Sequence, residues 1–174
     1  MQRHVDGESR LVTEYYHRLV VIAVVSTPFP IPLGRRFQQP GEGEGECALV
    51  LLRALTARLG RRFVDVLVGD ALYCTAPVVQ AVEALGLDWV FAVEDNQPDL
   101  VADVERLTRG LSTAWGREPD RQWQLWHLPA VYWAAADRAV RIVKVAGSPL
   151  RDEPGTGEHP TALCGGGRAE PMAN

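Results

Sequence analysis

The sequence predicts an α/β domain in which neighbouring parallel strands are joined by helices. Three observations carry that expectation. Between Cys47 and Leu111 the apolar residues alternate between helical and strand-like spacing. Gly60, Gly86 and Pro98 fall where the spacing changes, at the stops and starts of helices. Apolar residues make up 47% of the chain, enough for a core through its middle. Such alternation favours parallel strands linked by right-handed crossovers.

The first element, 15-YYHRLVVIAVV-25, is rich in β-branched and aromatic residues and reads as a strand. From Leu19 it is nearly continuous in apolar character, which predicts cover on both faces. The prolines of 28-PFPIPLGRRFQQPGEGEGE-46 allow only an edge strand or an extended loop. Ala48, Leu51, Leu52, Leu55 and Leu59 then follow helical spacing, with Gly60 as the stop. A second strand, 63-FVDVLVG-69, reads as buried and ends on Asp70. Thr75 is placed to cap a helix that turns Val78, Val79, Val82 and Leu85 inward and ends at Gly86. A third strand, 89-WVFAVE-94, precedes a helix opened by Pro98 and bearing Leu100, Val104, Leu107 and Leu111.

After Gly116 the helical period disappears. The stretches 122-QWQLWHLPAVYW-133 and 139-AVRIVKVAG-147 read as short antiparallel strands, either an insertion or a small hairpin layer. From Ser148 onward Gly, Pro and polar residues dominate without period, which predicts disorder. The expected organisation is therefore a core over 1–112, a short β insertion over 113–148 and a disordered tail over 149–174.

Composition excludes some classes. The formal charge of −4 gives the whole chain no basic field to attract nucleic acid, although a local patch could still meet DNA. Cys47, Cys74 and Cys164 are scattered, suggesting neither a disulfide framework nor paired zinc ligands. A reducing, cytoplasmic setting suits them best. The longest apolar run, 19-LVVIAVV-25, is too short to span a bilayer, and the N-terminus lacks the apolar core of a secretory signal. The length fits about one domain.

Asp70 is the leading candidate site. Functional groups in open α/β sheets gather at the carboxyl ends of strands, and a carboxylate there can ligate Mg²⁺ through hard oxygens. The plainer alternative is an aspartate that caps a strand-to-helix turn. The run 41-GEGEGE-46 has the glycines of a phosphate loop but the wrong charge, since Glu42, Glu44 and Glu46 would repel a phosphate. Acidic residues at a helix N-terminus explain it better. His17 reads as a buried histidine with a hydrogen-bond partner. His127 and His159 have no metal-ligand spacing, and Cys74 reads as packing. Trp115, Trp123, Trp126 and Trp133 could stack on bases, but in short strands they read more simply as core.

Specific stretches go further. In order, 14-EYYHRLVV-21, 40-PGEGE-44, 62-RFVDVLVGDALY-73, 76-APVV-79 and 94-EDNQPDL-100 resemble the DDE transposases of bacterial insertion sequences. The resemblance spans Asp6 to Leu107 and continues more weakly to about Val145. It implies a ribonuclease-H-like mixed sheet with flanking helices and an antiparallel β insertion. It also implies DNA cleavage and strand transfer by three acidic residues holding two divalent metals, Mg²⁺ or Mn²⁺. Asp70 matches the second of those acids, and so is the catalytic and metal-binding candidate.

Several departures accompany the match. The family's first aspartate lies on a strand upstream of 15–25, and Asp6 reads as a turn rather than its substitute. The family's glutamate lies on a helix beyond the β insertion, and no such helix is legible here. Glu94 stands where the family usually has a lysine. The expectation is an incomplete core, lacking both ends of the catalytic fold and inactive in strand transfer. The alternatives are a non-enzymatic protein that binds DNA or an intact transposase, and an unrelated small-molecule-binding α/β domain. A sheet missing its first strand also predicts self-association.

Overall fold

A computed structural model describes residues 2–5, 8–11, 17–117, 121–149 and 161–166. It is an α/β protein with, among the described residues, three α-helices and a mixed six-stranded sheet. The chain divides into two compact units, Met1–Leu55 and Thr56–Asn174.

In the first unit, β1 (Gln2–Val5) and β2 (Glu8–Leu11) form one antiparallel pair, and β3 (Leu19–Val24) and β4 (Ile31–Phe37) form another. Asp6 lies outside the described residues. Pro32 sits in β4, which among the described residues has β3 alone as ladder partner, so the proline withholds no hydrogen bond from a second described neighbour. Helix α1 (Glu44–Leu59) buries Cys47, Leu51, Leu52 and Leu55. Gly34 of β4 faces the Leu51 and Leu55 side chains. A Cβ there would come within 3.2 Å of both, so the missing side chain lets helix and strand close up.

The apolar strand over 15–25 is not covered on both faces. Val20 is buried, but Leu19 and Val21 are 43% and 49% exposed. Continuous apolar character therefore does not mark a central strand here: among the described residues β3 pairs with β4 alone.

The second unit is built on the sheet order β5-β6-β10-β9-β8-β7. Strand β5 (Val66–Gly69) runs parallel to β6 (Asp88–Val93), and helix α2 (Ala76–Ala84) connects them. Both helices expected in this unit form. Gly60 and Gly86 stop α1 and α2 at φ +87° and +78°, which only a residue without Cβ adopts freely. Val78, Val79 and Val82 of α2 are buried, as are Leu100 and Val104 of α3 (Pro98–Thr108). Thr75 takes the N-cap position of α2 without a side-chain cap bond. Leu59 and Leu111, expected inside, are exposed.

Strand β5 was expected to be buried, and it is not. It closes one side of the sheet, with Val66 and Val68 47% and 63% exposed. The antiparallel strands are longer than the sequence suggested. They are β7 (Ala114–Arg117), β8 (Arg121–Trp133) and β9 (Arg138–Pro149), and Asp137 turns the β8–β9 hairpin at φ +50°. They form no separate layer, because β10 (Thr161–Gly166) joins them to β6 in one sheet. Within the expected disordered tail, residues 161–166 are thus an ordered strand with partners on both sides. Residues 150–160 and 167–174 lie outside the described residues.

The sheet's core face follows the pleat. Trp89, Phe91 and Val93 of β6 alternate inward and are buried. Trp89 stacks on Phe91 with 5.3 Å between ring centroids and meets Trp133 at 6.4 Å. Glu83 of α2 accepts the Trp89 indole N–H at 3.0 Å and pairs with Arg138, tying helix to sheet. Buried Lys144 reaches Glu105 of α3 at 2.7 Å and lies over the Trp126 ring.

Candidate functional site

Parallel pairing puts the carboxyl ends of β5 and β6 at the same edge, with Gly69 opposite Phe91 in register. Asp70 follows Gly69 and is exposed. Its Oδ1 accepts from the Leu72 amide at 3.0 Å, so it is the N-cap of a 3-10 turn over Ala71–Tyr73. The capping alternative for Asp70 is thus realised in the geometry. Capping uses one carboxylate oxygen and is compatible with a second role.

The segment after β6 is fastened to this turn. Asn96 donates to the Ala71 carbonyl at 2.6 Å, and Gln97 Nε2 donates to the Cys74 carbonyl at 3.0 Å. Gln97 Oε1 in turn accepts the Trp133 indole N–H at 2.7 Å. The amide side chains of the DNQ turn therefore grip the two ends of the DALYC turn, and exposed Glu94 and Asp95 share the same edge. Both motifs are legible in the sequence, in this order, but the bonds between them are not, because Asn96 and Gln97 carry no signal beyond turn chemistry.

Asp70, Glu94 and Asp95 are the exposed carboxylates at this end of β5 and β6. Among the described residues no group of three or more His, Cys, Asp and Glu side chains is placed to hold a metal ion. The described residues do not by themselves fit a two-metal centre.

The other candidates resolve as follows. Glu44 and Glu46 occupy the first turn of α1, in keeping with acids at a helix N-terminus. Glu42 instead pairs with Arg36, whose Nη1 lies 2.6 and 2.5 Å from its two oxygens, and accepts from the Gln39 amide at 2.9 Å. The Arg36 guanidinium, and then the Gln39 N–H, hold the Glu42 carboxyl below the usual glutamate range. His17 is exposed rather than buried, set edge-on to Phe37 with 5.9 Å between ring centroids. It lines a groove of about 850 Å³ with Phe37, Gln38, Pro40 and Glu42, all in the first unit. Trp133 is core as expected, but Trp115 is 63% exposed, and Trp123 and Trp126 are half-buried. Cys74 is fully buried.

No protein-family model matches the chain, and no curated protein matches it significantly. Among the described residues no helix is long and apolar enough to cross a membrane.

Proposed function

We propose that the chain carries part of a DDE transposase catalytic core, with Asp70 in the position of the second metal-binding acid. The observation that supports this most is the place of Asp70. It lies at the carboxyl end of β5, parallel to β6, on a turn fastened to the DNQ segment by Asn96 and Gln97. The element order suits a ribonuclease-H-like core with a β insertion. An antiparallel pair and a helix lead to the Asp70 strand, and a helix, a strand, a helix and long antiparallel strands follow it.

On this reading the chain by itself performs no strand transfer. Two-metal cleavage needs several carboxylates converging on the ions, and one matched aspartate does not supply them. The test is incubation of the purified chain with insertion-element terminal-repeat DNA and Mg²⁺ or Mn²⁺, beside an intact relative that nicks the same DNA. The expected result is no nicking by this chain. Metal-dependent nicking that Asp70→Ala abolishes would show a complete site.

A second reading, a non-enzymatic protein that joins an intact transposase or a second copy, is favoured by one feature. Among the described residues β5 has a ladder partner on one side only, beside exposed Val66 and Val68, a surface suited to strand addition. Co-purification with an intact relative, lost on Val68→Lys, would support it.

A further inference from the structure

Two cysteines from distant parts of the sequence meet in the second unit. Cys74 closes the 3-10 turn that follows Asp70, and Gln97 holds its backbone carbonyl. Cys164 lies in β10, opposite Phe91 of β6 and Ile142 of β9. Both side chains are wholly excluded from solvent, and both are free thiols. The neighbouring rings report the same approach: Tyr73, next to Cys74, tilts against Phe91, the ladder partner of Cys164, with 6.4 Å between centroids. Both buried thiols are thus brought to the same layer, between the turn after Asp70 and the sheet. Cys47 is differently placed, donating to the Arg36 carbonyl in the first unit at 3.7 Å.

We propose that Cys74 and Cys164 form a redox-sensitive staple which, oxidised to a disulfide, locks β10 into the sheet. Strand β10 is the one a staple would affect most. It has six residues, ends in Gly165–Gly166, and gives the core only Ala162 and Cys164 as buried apolar side chains. A strand with so little buried surface opens locally at lower cost than the whole domain unfolds. Its departure would strip the ladders of both β6 and β9. A bond from Cys74 to Cys164 closes a loop of about 90 residues, and cross-links over long loops restrict the unfolded chain most. It would also tether β10 to the turn that bears Asp70.

The step needs a two-electron oxidant, and a small-molecule disulfide supplies it. When β10 opens, the Cys74 thiol gives up its proton and the thiolate attacks one sulfur of the oxidant, whose other sulfur leaves as a thiol. The Cys164 thiol, deprotonated in turn, attacks the Cys74 sulfur and displaces the second small thiol. One S–S bond forms in the protein and one breaks in the oxidant, and the two protein thiol hydrogens end on the two small thiols. The order follows from the pair's contact. A hydrogen bond from Cys164 lowers the Cys74 thiol, whereas contact with Cys74 and burial push Cys164 up. Burial of both thiols makes the opening of β10 the slow step.

The test uses the full chain and glutathione disulfide at neutral pH, followed by alkylation, digestion and mass spectrometry. The expected product is one cross-linked peptide pair joining Cys74 to Cys164, two hydrogens lighter than the reduced peptides, with Cys47 alkylated. The thermal midpoint should rise by on the order of 10 °C and fall back with dithiothreitol. Cys164→Ser should remove both effects, and peptide mapping of the wild-type chain decides the matter even if that variant does not fold. Thiols recovered unreacted, glutathione left attached to Cys74 or Cys164, or a cross-link through Cys47 would overturn the proposal. So would a Cys74–Cys164 bond that leaves the midpoint unmoved.

Discussion

Trp133 donates its indole N–H to the Gln97 side-chain oxygen at 2.7 Å, and the same amide donates onward to the Cys74 carbonyl at 3.0 Å. One side chain thus links the long β8–β9 hairpin to the turn that presents Asp70. Trp133 is buried, so its N–H has no water to fall back on. Gln97→Leu removes both bonds and leaves that donor unsatisfied. The expected loss is about 2 kcal/mol, read as a lower urea midpoint with an unchanged slope. A shift indistinguishable from zero would mean the link is incidental.

Gly69 is expected to resist even alanine. A Cβ there would lie 3.0 Å from Tyr73 and 3.1 Å from Phe91. Phe91 is stacked on Trp89 and cannot retreat, so the clash outweighs the better strand propensity of alanine. Gly69→Ala should cost about 1–2 kcal/mol by chemical denaturation, and Gly69→Val more.

The ion pair of Lys144 and Glu105 should answer asymmetrically to mutation. The lysine side chain is buried, whereas that of Glu105 is 48% exposed. Glu105→Ala strands a buried ammonium and should cost about 2–3 kcal/mol. Lys144→Met leaves a carboxylate that water can solvate and keeps an apolar stem over Trp126, so its cost should stay within about 1 kcal/mol. Equal losses would contradict this assignment.

The Arg36–Glu42 pair predicts an acid limb in stability. Arg36, and then the Gln39 amide, depress the folded-state value of Glu42, while Glu42 raises that of Arg36, which stays charged throughout. A depressed carboxyl contributes stability above its unfolded value. The contribution is lost as pH falls from about 4.3 through the lower folded value. Urea midpoints measured down this range should fall less steeply in Glu42→Gln than in the wild type.

Much of the fold was legible because helices announce themselves by period and by punctuation. Gly60, Gly86 and Pro98 marked boundaries that the structure keeps. Burial was less legible. The runs 19-LVVIAVV-25 and 63-FVDVLVG-69 look like central strands, yet among the described residues each is paired on one side only, and a strand's own sequence does not reveal how many neighbours it has. Strand β10 was missed because 161-TALCGG-166 is short and glycine-rich. Its order comes from two ladders contributed by β6 and β9, a tertiary effect with no local signature. The position of Asp70 at a strand-to-turn junction was legible from the apolar run before it, and the structure makes it the N-cap of that turn. The clamp by Asn96 and Gln97 was not, because their partners lie more than twenty positions away.

Asp70 is proposed to stand where the second acid of a DDE transposase stands. A segment exchange tests it most directly: residues 62–93 of this chain replace the matching strand–helix–strand of an intact, active transposase. The account predicts a hybrid that still nicks terminal-repeat DNA with Mg²⁺ or Mn²⁺ and loses that activity on Asp70→Ala. A folded hybrid that fails to cut, or one whose cutting is indifferent to Asp70→Ala, would contradict it.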